Sequence, residues 1–404
     1  MTQVLYVWGI CAEVRTKRIY MEQKELELYL HIPFCVKKCS YCDFLSAPAT
    51  AQTIGAYMAA LFAEIRGRAA AYEDRMVTSI FLGGGTPSLL SGEWVQQLMD
   101  VIRENFEVAQ EAEITMEVNP GTASEEKLRA FHAAGINRLS IGMQSAQAKE
   151  LQILGRIHDF DCFCEVYRET VAAGFRNINV DVMSGLPGQT LDTYRDTLEK
   201  VLHLDPVPQH ISAYSLIVED GTPFAAMQEK GKLSLPDEDT ERAMYEETIE
   251  ILAQYGFRRY EISNYAREGY ECRHNVGYWV RREYLGFGIG AASMVDNVRF
   301  QNKRALTEYL KHPLECREEV QKLTVPEQME ETMFLGLRLT RGVSYETFQK
   351  QYGKRMEEVY GKIIAQNVAD GLLKVDCTET GEHFLALTKR GLDLSNYVMA
   401  QFLF

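Results

Sequence analysis

Cys35, Cys39 and Cys42 put three thiols within eight residues, spaced Cys-x3-Cys-x2-Cys. Thiolates on so tight a loop are metal ligands rather than a disulfide framework. The chain is 404 residues long, and its nine cysteines are odd in number and clustered, as in a reduced protein with a metal site. A structural zinc site needs four closed ligands, usually from paired Cys-x-x-Cys elements. No second pair lies nearby, and His31 is the one candidate for a fourth ligand. The other reading is a [4Fe–4S] cluster with three irons held by thiolate and one iron open.

An open iron can bind a chelating amine and carboxylate, such as the methionyl end of S-adenosylmethionine (SAM). Electron transfer from the reduced cluster then breaks a C–S bond and yields a 5′-deoxyadenosyl radical. The protein's share of that chemistry is geometry and the exclusion of water.

The elements that would position such a loop can be read from periodicity. Leu26, Leu28 and Leu30 alternate with Glu27, Tyr29 and His31, which predicts a strand running into the cysteine loop. Further strands are expected over 79–88, 113–120, 138–145, 177–187 and 210–218. Helices are expected between them over 53–72, 92–105, 124–134, up to Leu154, 160–173 and 190–202. Ser124 reads as an N-cap, Gly135 and Gly174 as stops. Six strands alternating with helices imply a parallel sheet with right-handed crossovers, here an incomplete (β/α)6 barrel. Its ligands belong at the carboxyl ends of the strands. Gly83, Gly84 and Thr86, then Glu117, Gln144 and Asp181, all fall there, with Arg156 just past a helix. Asp181 stands between Val180 and Val182 and so points away from them, towards the barrel interior. A lone buried carboxylate is costly unless it is partnered.

After Pro236 the pattern turns helical, and a Tyr- and Arg-rich stretch spans 255–285. From about 326, two helices, a hairpin and a last helix suggest a winged-helix-like α+β domain. Residues 341–404 carry equal numbers of basic and acidic residues, and the whole chain has a net charge of −14. Neither offers an electrostatic footprint for nucleic acid. No run of eighteen apolar residues occurs, so no membrane span is expected. The expected organisation is an N-terminal extension over 1–20 with Met21 as native start, the partial barrel over 21–235, an extension over 236–325 and the C-terminal domain over 326–404. Cys162, Cys164, Cys11, Cys316 and Cys377 read as core residues rather than ligands. The Gly286-x-Gly288-x-Gly290 run reads as a tight turn.

The cysteine loop, with Tyr41 before its last thiol, resembles the signature of the radical SAM superfamily. The run from His31 to Phe44 resembles the group containing the coproporphyrinogen III dehydrogenase HemN and the haem chaperone HemW, and the likeness extends from about Leu26 to the C-terminus. The resemblance implies a [4Fe–4S] cluster on Cys35, Cys39 and Cys42. It implies SAM contacts at Gly83, Gly84, Thr86, Glu117, Gln144, Arg156 and Asp181, with Tyr29 close to the cluster.

Two features choose within that group. Phe44 stands where the dehydrogenase has a fourth cysteine. His274-Asn275-x-x-Tyr278-Trp279 is similar to a motif of the chaperones. A loop imidazole at His274 could ligate haem iron, with Tyr278 and Trp279 stacking on the porphyrin and Arg273, Arg281 and Arg282 meeting propionates. The expectation is a haem chaperone in preference to a coproporphyrinogen dehydrogenase, with enzymatic activity left open, delivering haem to membrane-bound respiratory acceptors. It would need a reductant for its cluster and work in the cytoplasm or at the inner face of the membrane. The alternatives are a dehydrogenase acting on coproporphyrinogen III and a zinc-bound interaction module.

Overall fold

A computed structural model of the chain describes residues 24–403. The proposed start at Met21, the extension over 1–20 and Cys11 lie outside these residues. Six strand–helix units come first: β1 Lys24–Ile32, α1 Ala51–Ala69, β2 Arg75–Gly84, α2 Gly92–Asn105, β3 Glu107–Val118, α3 Glu125–Ala133, β4 Arg138–Gln144, α4 Ala148–Leu154, α5 Phe160–Ala172, β5 Asn177–Ser184, α6 Leu191–Leu202 and β6 His210–Ser215. The caps are local: Thr50, Ser91, Ser124, Asp159 and Thr190 each accept a backbone N–H of the helix they start, which satisfies an otherwise orphaned donor.

Strands β1 to β6 pair in sequence order, all parallel. Alternation sorts their side chains onto two faces. Leu28, Ile80, Met116, Ile141, Val180 and Ile211 are buried and belong to one large hydrophobic cluster with the helices. Most intervening positions are polar: Glu27, Ser79, Glu113, Arg138, Ser140, Asn179, Asp181, His210 and Ser212, with the rings of Tyr29 and Phe81 between them. They lie on the concave inner face, where Ser140, Asn179, Asp181, His210 and Ser212 bond to one another across strands. The fold is therefore an α/β partial barrel with a polar interior.

The segment after β6 departs from the helical expectation. It contains α7 Pro223–Glu229, α8 Glu238–Gln254, β7 Arg258–Arg259, β8 Asn264–Ala266, α9 Arg273–Trp279, β9 Glu283–Phe287, β10 Ala292–Val295, β11 Val298–Asn302, α10 Leu306–Lys311 and β12 Arg317–Lys322. Strand β9 joins the free side of β1 in parallel, and β10, β11 and β12 continue the sheet antiparallel. At the other end β8 and β7 cover β6. Both edges of the parallel set are thus taken, and among the described residues this gives one twelve-stranded sheet that does not close on itself. The late strands are short or exposed, as in Arg-Glu-Glu-Val-Gln-Lys of β12, so they carry little apolar periodicity.

A second core follows, built from α11 Val325–Gly336, β13 Val343–Ser344, α12 Tyr345–Tyr352, α13 Met356–Ala369, β14 Leu373–Cys377, β15 His383–Leu387, α14 Lys389–Asp393 and α15 Ser395–Ala400. Helices α12 and α13 lead into a three-stranded sheet ordered β13-β15-β14, a winged-helix-like α+β arrangement. Among the described residues, no helix is long and apolar enough to cross a membrane.

Candidate functional site: a thiol pocket beside a larger cavity

The cysteine loop leaves β1 at Pro33 and is held at both ends. Cys35 donates its N–H to Ala47 O, Ala47 donates to Pro33 O, and Ser40 donates to Leu154 O. Gly85 lies against the base of this loop, its N–H bonded to Ile32 O at 2.9 Å. A Cβ there would come within 2.6 Å of Phe34 O, so only glycine lets the end of β2 approach so closely. Gly84 has φ +112°, and a Cβ on it would strike the His31 ring; both facts demand glycine.

One pocket is lined by Cys35, Cys39 and Cys42 together with Gly84, Thr86, Glu117, Gln144, Arg156 and Asp181. Every strand from β2 to β5 delivers at least one of these residues, Gly84, Glu117 and Gln144 from the carboxyl ends of β2, β3 and β4 and Asp181 from the middle of β5. Thr86 Oγ1 lies 3.4 Å from Cys35 Sγ and can donate to it. Arg156 Nη1 lies 3.8 Å from Cys39 Sγ, and its Nη2 donates to Gly142 O at 2.5 Å. The Arg156 Nε is buried with no protein partner. A fork with one arm unmatched fits a carboxylate-bearing ligand. Gln144 sits at φ +71°, a left-handed conformation that costs energy in a non-glycine residue and clusters at functional sites.

Glu117 accepts from Gly84 N at 3.1 Å. Burial, with Asp181 nearby, pushes its carboxyl up to about 8. Asp181 is raised too, chiefly by burial, while Asn179 and Ser140 donate to it. Burial likewise raises the Cys42 thiol. Two carboxyls withdrawn from water beside a half-matched guanidinium and three thiols suit a ligand with cationic and hydroxyl groups, as SAM has. Among the described residues, no three His, Cys, Asp or Glu side chains converge to hold a single metal ion. The three thiols ring a pocket instead, and with the unmatched Arg156 Nε they fit a cluster that carries a chelating ligand.

Gly85 and Asn119, at the strand ends with Gly84 and Glu117, also line this pocket, as do Ser140 and Gly142, which sequence reasoning passed over. Ser140 was visible as an inward position on β4. Gly142 was not, since what matters there is crowding: a Cβ would meet Gln144 Nε2 at 2.9 Å. Tyr29 and Gly83 fall outside this pocket's lining. Gly83 packs under Phe81 and Tyr29. Tyr29 instead lines a cavity of about 550 Å³ on the other side of the cysteine loop. Aromatic Tyr278, Trp279 and Tyr284 also line it, together with Arg281, Arg299 and Arg304. Phe44, 69% exposed, borders both spaces.

The expectation for His274 needs correcting. It is not on a loop but in the first turn of α9, and its ring is 1% exposed. Glu113, from the inner face of β3, accepts from Arg273 N at 3.0 Å and His274 N at 3.3 Å, so it caps α9 inside the barrel. The His274 ring packs on Phe81 at 5.2 Å, with Nδ1 2.8 Å from Ser79 Oγ and Nε2 2.9 Å from Tyr278 OH. Both nitrogens are engaged, and Tyr278 stands between the imidazole and the cavity. Burial, reinforced by Arg138 and Arg282, lowers its pKa to about 3. It is a buried helix residue with both ring nitrogens bonded, in place of the open loop imidazole expected. The arginines expected on propionates are also occupied: Arg281 pairs with Glu331, Arg282 with Glu25 and Glu27, and Arg273 donates to Glu111 O. Of the other cysteines, Cys316 is buried, Cys162 and Cys164 are half-buried on α5, and Cys377 is exposed, contrary to the core placement expected for it. Gly288 and Gly290, both at positive φ, form the expected turn after β9.

Known proteins share this architecture. The radical SAM superfamily profile matches residues 29–201, and the HemN C-terminal domain profile matches residues 323–394. The haem chaperone HemW of Lactococcus lactis is 37% identical over 384 residues, covering 95% of this chain and 98% of that protein. HemW of Bacillus subtilis is 36% identical, covering 93% and 98%. The solved structure of the Escherichia coli radical SAM enzyme HemN, coproporphyrinogen III oxidase, superposes with a TM-score of 0.80 at 27% identity, covering 94% of this chain and 90% of that one. The chain therefore belongs to the HemW family within the radical SAM superfamily.

Proposed function

We propose that this protein binds a [4Fe–4S] cluster on Cys35, Cys39 and Cys42, binds SAM beside it, and carries haem to acceptor proteins. The observation that supports this most is the meeting of the three thiols with Glu117, Gln144, Arg156 and Asp181 in one pocket, within a chain whose relatives are named haem chaperones. The cluster supplies an iron open to the amine and carboxylate of SAM and an electron for cleaving its sulfonium. The chain's own residues do the rest. Arg156 offers its unmatched face to the carboxylate. Glu117, which already accepts from Gly84 N, accepts from the amine. Asp181, braced by Asn179 and Ser140, accepts from ribose hydroxyls. Gly84 and Gly85 let the ligand approach the backbone, and Thr86 donates to a cluster thiolate.

Haem would be passed to respiratory acceptors at the membrane surface from the cytoplasmic side, with a separate reductant serving the cluster. The second reading, a coproporphyrinogen III dehydrogenase, draws on the 0.80 superposition with HemN. Phe44 argues against it, because the fourth cysteine of that enzyme is missing. One anaerobic experiment tests the choice. Reconstituted protein should contain about four iron and four sulfide, change its cluster spectrum with SAM, bind haem and donate it to an apo-acceptor. Stoichiometric zinc with no response to SAM would refute the cluster. Conversion of coproporphyrinogen III to protoporphyrinogen IX would install the dehydrogenase instead.

A further inference from the structure

The cavity beyond the cysteine loop has a definite chemistry. Its volume of about 550 Å³ is in the range of small-molecule sites, which are largely apolar with a few placed polar groups. Tyr29, Tyr278, Trp279 and Tyr284 give it aromatic walls, and Phe44 lines both it and the thiol pocket. Its charged residues are Arg281, Arg299, Arg304, Asp43 and Glu331, an excess of cation in a chain of net charge −14. Arg281 and Arg299 share the single carboxylate of Glu331, at 3.0 and 2.6 Å. Arg304, beside the Gly288–Ala291 turn, makes no hydrogen bond or ion pair within the described residues.

We propose that this cavity, rather than His274, is where the haem lies, and that Arg304 pairs with one of its carboxylates. The inference rests on the haem-carrier reading and specifies its site. A planar macrocycle with acidic side chains matches aromatic walls plus one uncommitted guanidinium at the rim. An uncharged aromatic ligand would leave Arg304 without a role. A simple inorganic anion would leave the aromatic walls without one.

The test compares haem with its dimethyl ester, which lacks the carboxylate charge, by absorbance titration of the cluster-loaded protein and of Arg304→Gln. Arg304 is exposed, so the variant should fold. The expected result is haem binding weakened about ten- to hundredfold, the span for a lost charge-assisted bond, with the ester bound equally by both proteins. A second variant, Ala292→Trp, fills the cavity from an exposed position on β10 and should exclude both ligands while SAM still alters the cluster spectrum. Equal haem affinity in parent and Arg304→Gln, or equal loss of both ligands in Arg304→Gln, would overturn the carboxylate pairing. Unchanged haem binding by Ala292→Trp would overturn the cavity. In each of those cases the parent still binds haem and the carrier reading stands. A parent that binds no haem would refute the carrier reading, and the inference with it.

Discussion

His274→Ala discriminates an interior residue from a haem ligand. The ring holds Ser79 and Tyr278 and packs on Phe81. Two hydrogen bonds at about 1 kcal/mol each and an aromatic contact of about 1 kcal/mol give an expected loss of about 3 kcal/mol at pH 8. The pH dependence follows from linkage. The folded ring titrates at about 3, whereas an unfolded histidine titrates near 6.5. Between these values the unfolded chain binds the extra proton, so parent stability falls as pH drops through that window. By pH 5 the fall from this residue is about 2 kcal/mol (1.36 kcal/mol for each of about 1.5 units). The variant lacks the group, so its deficit should shrink from about 3 kcal/mol at pH 8 to about 1 kcal/mol at pH 5. Urea unfolding of both proteins at the two pH values, followed by tryptophan fluorescence, measures this difference directly. Haem affinity of the folded variant should stay within about threefold of the parent, a shift below 1 kcal/mol. A variant as stable as its parent that no longer binds haem would refute the interior assignment. A deficit that grows on acidification would show that the folded ring is charged.

Three other changes probe separate parts of the molecule. Gly85→Ala drives a Cβ into Phe34 O, an overpacking of about 1–3 kcal/mol at the root of the cysteine loop; iron and sulfide after reconstitution should fall, with far-UV circular dichroism unchanged, and full cluster content would refute the close-approach argument. Arg156→Lys should weaken SAM binding about tenfold or more while iron content holds, because an ammonium cannot serve Gly142 O and a ligand carboxylate as a planar fork does; equal SAM affinity by calorimetry would remove Arg156 from the site. Gly361→Ala, inside α13 where the new Cβ meets nothing closer than 3.9 Å, should raise the stability of the C-terminal domain by about 0.5–1 kcal/mol in denaturant titration; a decrease would show that the helix tolerates no side chain there.

The residues that could be read from sequence are those whose role is set by strand period. Asp181 between Val180 and Val182, or Glu117 two residues before Asn119, follow from alternation and from the rule that parallel strands present their carboxyl ends to ligands. The cysteine loop was equally legible, because thiol spacing is chemistry in itself. His274 was misread for a different reason. A histidine followed by Tyr278 and Trp279 has the composition of a ligand site, but composition does not reveal that Glu113, more than a hundred residues earlier, caps α9 from inside the barrel. The same blindness hid β9 to β12, whose place is fixed by the free edge of β1 and not by any pattern of their own. Once α9 is seen as an interior plug, Tyr278 and Trp279 become cavity wall, not a platform around His274. The motif then keeps its aromatic surface for a ligand while its imidazole becomes part of the scaffold. This is why Arg304, on a segment with no motif at all, is the better place to look for the contact that holds the cargo.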